Sequence, residues 1–112
     1  MNLDGIDLMN RGEELTEELN NTIDNYEKAG IKLAELDRDY KVLYRKKALV
    51  EMKITFISQF LVGDEEIAEK RFKRDCAETK YRTLGEKINA LKLQLRLNDS
   101  ATVREWSRYD SD

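Results

Sequence analysis

Residues that could do chemistry are few in this 112-residue chain: there is no histidine, one cysteine, and a set of carboxylates at helical spacing. A serine or cysteine nucleophile normally works with a base such as histidine, itself oriented by a third group, and neither is present. The sequence shows no glycine-rich phosphate loop and no Cys/His metal spacing. Glu13/Glu17 and Glu14/Glu18 are i,i+4 pairs able to graze a divalent cation. Their better reading is the acidic start of a helix, where the macrodipole favours negative charge, and Asp64-Glu65-Glu66 reads the same way. Cys76 falls near Phe72 and Tyr81 and is expected as a small buried thiol. The expectation is a protein that is not an enzyme, with no catalytic residue, cofactor, metal or small-molecule substrate.

Cations are the richer signal. Lys41, Arg45, Lys46, Lys47 and Lys53 precede a second run, Lys70, Arg71, Lys73, Arg74, Lys80 and Arg82. A chain that doubles back between them joins the two runs on one half, a surface that a phosphate backbone could track by counterion release. Lys46, Lys53, Arg71, Arg74 and Trp106 are the candidate contacts for nucleic acid or another partner. The bland alternative is a solvated face balanced by the helical pairs Glu66–Lys70, Glu69–Lys73 and Arg74–Glu78.

Net charge is −3, and its distribution is uneven. Residues 1–40 carry eleven acids and four bases, residues 41–96 eight acids and fourteen bases. That asymmetry bears on partners rather than on fold. The basic half could take the acidic residues 13–27 of a neighbouring chain. Glu13, Glu14, Glu17, Glu18, Asp24 and Glu27 could also imitate nucleic acid toward a nuclease, although −3 is a weak charge for that role.

These side chains must be positioned by helices. Proline is absent, glycine is limited to five residues, and charged residues make up 38%. From Leu15, alternating steps of four and three give Leu15, Leu19, Thr22, Tyr26, Ala29, Leu33 and Leu36, then Tyr40, Leu43, Lys47, Val50, Ile54, Ile57 and Leu61. Twelve of the fourteen are apolar, a heptad period that no strand can use. Lys47 interrupts the seam; it can snorkel to solvent, the preferred reading, or fix register as a polar heptad residue can.

The period stops at Val62-Gly63-Asp64, where Gly63 can close one helix and Asp64 can cap the next. A second helix is expected over 65–97. Its clearest seam is Tyr81, Leu84, Ile88, Leu91 and Leu95, with Ile67, Ala68, Phe72, Cys76 and Ala77 continuing upstream in a shifted phase. The predicted fold is all-α, a single domain built as a long antiparallel, coiled-coil-like helical hairpin: helix 1 over 12–61, a turn at 62–64, helix 2 over 65–97 and a tail over 98–112. A third short helix would arise if the chain broke at Gly30, or near Thr55 with a separate helix over 56–62. The unbroken phase across Gly30 favours a straight helix.

Reflection about Gly63 sets position 97 opposite position 29, which leaves residues 12–28 without an intramolecular partner. Leu15, Leu19, Tyr26 and Leu33 are therefore assigned to self-association, in a dimer or higher oligomer. No apolar run approaches the roughly 20 residues of a membrane span, and the N-terminus lacks the pattern of a secretory signal. With a lone cysteine, a reducing cytoplasm is the expected compartment and no membrane partner is expected.

Gly63-Asp64-Glu65-Glu66-Ile67-Ala68, then Phe72-Lys73-Arg74-Asp75-Cys76-Ala77-Glu78, Tyr81, and the Lys/Leu-rich Ile88-Asn89-Ala90-Leu91-Lys92-Leu93-Gln94-Leu95-Arg96 resemble small helical proteins of phages and prophages of Gram-positive bacteria. The similarity covers roughly residues 40–97 and brings no active-site residue with it. What it implies is a phage accessory protein, of the host cytoplasm, that works beside DNA recombination or replication or counteracts a host defence nuclease. The residues alone imply a self-associating protein–protein interaction module, with nucleic-acid binding and nuclease inhibition as alternatives.

Overall fold

In a computed structural model the described residues are 3–50 and 64–110, and they form two helices with no strand among them. Helix α1 spans Leu3–Val50 and α2 spans Glu65–Asp110. The turn at Gly63, the Thr55 cap and the segment 51–61 of the expected first helix lie outside the described residues. Asp64 caps α2 as its position predicts: its Oδ1 accepts the backbone N–H of Ile67 at 3.1 Å. Glu65 and Glu66 occupy the acidic first turn.

The chain divides into two compact units, each built from both helices. One comprises Met1–Tyr26 with Leu84–Asp112, the other Glu27–Thr83. In the first unit Asn98 meets Leu8 and Gly12, Lys87 meets Glu18, and Gly85 meets Tyr26, so the paired numbers fall as α1 advances and the helices are antiparallel. In the second, Tyr81 meets Gly30, Arg74 meets Asp37, and Asp64 meets Lys47, with the same sense. The Lys47–Asp64 and Gly30–Tyr81 pairs share one register, since the residue numbers of each sum to 111.

That register corrects the expected boundaries. Helix α2 does not end at 97, and residues 98–110 are no tail but its last turns. Nothing in Asn98-Asp99-Ser100 breaks it, because Asn98 is itself buried between the helices and donates from Nδ2 to the carbonyl oxygen of Leu8 at 3.0 Å. At the other end α1 begins at Leu3, nine residues earlier than position 12. Residues 12–28 therefore have an intramolecular partner. Leu15 is 1% exposed, and Leu19, Tyr26 and Leu33 are half-buried against their own chain. Of the four residues assigned to self-association, Leu15 is spent inside the hairpin, and the other three keep part of their surface exposed.

Gly30 does not break α1, and no glycine among the described residues has a positive φ. Its role is close approach: a methyl there would stand 2.9 Å from Cε2 of Tyr81. Gly85 mirrors it in the other unit, where an added Cβ would lie 3.2 Å from the Tyr26 ring. Each helix thus gives a glycine to a tyrosine of the other, and the absent methyl leaves room for an aromatic ring in a two-helix seam. Thr22, 3% exposed in the seam, satisfies its hydroxyl by donating to the Glu18 carbonyl at 2.7 Å, so an apparent heptad exception costs no orphaned polar group.

Candidate interaction surfaces

Between residues 67 and 81 the inward face of α2 is mostly charged. The seam residues there are Lys70, Arg71, Arg74, Ala77 and Glu78, which keep the 3.5-residue spacing from buried Ile67 to half-buried Tyr81. Of the apolar residues expected there, Ile67 and Ala77 face inward, while Phe72 and Cys76 point outward. Phe72 is 64% exposed, and Cys76 is an exposed free thiol rather than a buried one. The phase shift read from Phe72 and Cys76 was a second, outer stripe. The inner one is continuous but charged.

Arg74 shows why a charge can sit there. Its guanidinium lies 4.4 Å from the centroid of the Tyr40 ring and bridges Asp75 at 3.0 Å and Asp37 of α1 at 3.4 Å. Tyr40 in turn packs against Tyr44 with ring centroids 6.2 Å apart. Asp37 also takes Lys41 at 2.8 Å, and that hydrogen bond, with Arg74 as the second cation, holds its carboxyl below the usual aspartate value.

The second inter-helix pair corrects the reading of Lys47. Its ammonium does not snorkel away; it donates to both oxygens of Asp64, at 2.9 and 2.8 Å, with Glu66 at 3.6 Å. A cation at a heptad position of α1 therefore grips the capping residue of α2 and ties the register of this unit to the start of the second helix. Asn98 does the same for the other unit. The hydrogen bond from Lys47, then that from the Ile67 N–H, pulls the Asp64 pKa down, while Asp64 pushes that of Lys47 up.

The signs set a pH window. A depressed Asp64 contributes stability above the unfolded aspartate value near 3.9, lost as pH falls through its lower folded value. A raised Lys47 contributes stability below about 10.4, lost as pH rises through its higher folded value. Thermal melts followed by circular dichroism are expected to hold a plateau between these limits and decline on both sides. In Asp64→Asn the plateau falls and the acid limb flattens. An unchanged acid limb in that variant would show that other carboxylates govern it.

The candidate nucleic-acid contacts stand in different settings. Lys46 is exposed, whereas Arg71 is half-buried on the seam side and Arg74 is spent on Asp37, Asp75 and Tyr40. Lys53 lies outside the described residues. Trp106 belongs to the other unit, on the outer part of α2. Glu13, Glu14, Glu17, Glu18, Asp24 and Glu27 are all exposed on α1. Among the described residues no group of three or more His, Cys, Asp or Glu side chains is placed to hold a metal ion, and no helix is long and apolar enough to cross a membrane.

One surface was missed by reasoning from the seam. In the unit built from residues 1–26 and 84–112, an open groove runs along one side of the helix pair. Met9, Glu13, Thr16 and Asn20 line it from α1, and Asp99 and Thr102 from α2. The signal was available as a second heptad phase in α1, Met9-Glu13-Thr16-Asn20-Ile23, offset from the buried one. Comparison of the chain with protein-family models, with curated proteins and with solved structures gives no match.

Proposed function

We propose that the chain is a non-enzymatic interaction module, a helical hairpin that self-associates and binds a macromolecular partner. The observation that carries this reading is a mismatch between a thin interior and an apolar exterior. The buried apolar side chains among the described residues are Leu15, Ala29, Ile67, Ile88 and Leu91. Eleven large hydrophobic residues among those described are exposed, including Ile31, Val42, Leu49, Phe72, Leu93 and Leu97. Two helices in one layer bury only the stripe between them, and small scaffolds with so little core commonly gain the rest by oligomerising. Ile31, Val42 and Leu49 fall at spacings of eleven and seven, a single outer line of α1 in the second unit. That line suits a partner better than it suits water.

A phage accessory role in the host cytoplasm rests on the resemblance of residues 40–97 and on nothing else. Within it, nucleic-acid binding is the second reading, supported by the excess of bases in residues 41–96 and by the exposure of Lys46. The commitment of Arg74 to Asp37 and Tyr40 weighs against it. Inhibition of a host defence nuclease through the exposed acids of α1 is the third.

Sedimentation equilibrium separates the first reading from the others. The expected mass is an integer multiple, two or more, of the 13.2 kDa chain at micromolar concentration. A strict monomer that shifts single- or double-stranded DNA in a salt-dependent gel assay would replace it with the second reading.

A further inference from the structure

Two stripes border the groove of the first unit. On α1, Met9, Glu13, Thr16, Asn20 and Ile23 follow one another at steps of four and three, and every one is exposed. On α2, Lys92, Arg96, Asp99, Val103 and Trp106 keep the same steps and are likewise exposed, Val103 at 64%. Asp99 lines the groove together with Met9, Glu13, Thr16 and Asn20, so the two stripes lie on one side of the helix pair. The α1 stripe is flanked by Glu17 and is acidic in its middle. The α2 stripe has two cations at one end, Asp99 at its centre and two apolar residues at the other end.

The register within the unit decides how such a face can pair. Gly12 stands against Asn98 and Tyr26 against Gly85. Counting between these contacts sets Glu13 and Glu17 level with residues 97 and 93 of α2, next to Arg96 and Lys92. It sets Met9 level with residue 101, next to Val103. Beyond Asp99, the face carries acids on one helix and the bases Lys92 and Arg96 at the same level on its neighbour, and that part of it is complementary to itself. Rotation by a half-turn about an axis parallel to the helices lays α1 of each copy over α2 of the other. The alternative half-turn, about an axis across the helices, would stack acid on acid.

We propose that this face is the self-association surface, and that its occupant is the same face of a second copy. Glu13 and Glu17 of one chain then meet Arg96 and Lys92 of the other, twice, by symmetry. Met9 and Val103 form the apolar contact beside them, and the two-helix layers close into four helices around a shared core. This rests on the self-association reading and specifies its surface. Charge pairs of this kind select the partner and its orientation more than they add affinity, with the apolar contacts supplying the burial.

A charge swap tests it on the full chain. Glu13→Lys/Glu17→Lys and Lys92→Glu/Arg96→Glu each oppose like charges in their own homodimer, and each is expected to weaken association at least about tenfold in sedimentation velocity. An equimolar mixture of the two variants restores every pair, so the heterodimer is expected to form at wild-type strength. All substituted positions are exposed, and retention of helix is checked by circular dichroism. A wild-type dimer whose mass ignores both variants overturns this surface and leaves self-association standing. A monomeric wild type overturns both. Weakened variants that fail to rescue each other also overturn the proposed pairing.

Discussion

Leu15→Glu is expected to unfold the hairpin, not to dissociate it. Leu15 is 1% exposed and, among the described residues, shares the buried apolar set of its unit with Ile88 and Leu91. Placing a carboxylate there sacrifices the burial of a leucine and forces an unpaired charge either into the seam or through a break in it. Loss of a buried leucine side chain alone costs about 2–5 kcal/mol. An uncompensated charge adds several more, against a typical total of about 5–15 kcal/mol. Far-ultraviolet circular dichroism with a urea titration reads the outcome directly: loss of the cooperative transition, or a midpoint near zero urea. A variant that stays fully helical and cooperative while its mass falls would return Leu15 to an interface between chains, where the sequence first placed it.

That first placement shows what the sequence could and could not reveal. The α1 seam was legible because its period is carried by aliphatic and aromatic residues from Leu15 to Leu43, and the Asp64 cap was legible because it precedes two acids and a buried isoleucine. The extent of α2 was not. Asn98 looks like a helix end, since asparagine competes for backbone hydrogen bonds when solvated. Here its amide reaches the Leu8 carbonyl across the seam, and a residue that reads as a terminator serves as an inter-helix tie. Ending α2 at 97 leaves residues 12–28 without a partner, and so assigns the buried Leu15 to an interface between chains.

The charged stretch of α2 misled for a related reason. Apolarity marks a buried face only where the face is built from apolar atoms. At Arg74 the burial is supplied by the Tyr40 ring and two carboxylates, so the hydrophobic pattern is silent while the spacing is not. Stepping back from Tyr81 by threes and fours gives Glu78, Arg74, Arg71 and Ile67, the true inner line. Phe72 and Cys76 drew the eye to the outer one. Such polar seams add little net stability, since paired charges must first be desolvated, but they disfavour slipped registers in which each charge would lose its partner.

It follows that the second unit leans on very few apolar atoms, and Ile67→Ala is the substitution that exposes this. Ile67 is 0% exposed, sits in the first turn of α2 beside the Asp64 cap, and shares the buried apolar set of its unit only with Ala29 among the described residues. Truncation to alanine removes three carbons and leaves a cavity that two helices held by ion pairs cannot readily close. The expected loss is about 2–4 kcal/mol, within the range for large aliphatic residues cut to alanine in a core. Hydrogen exchange localises it: amides of residues 27–50 and 65–83 are expected to lose protection more than those of residues 3–26 and 84–110. A loss under about 1 kcal/mol, or protection lost evenly along both helices, would mean that the pairs Lys47–Asp64 and Arg74–Asp37 hold this unit with little help from its aliphatic core.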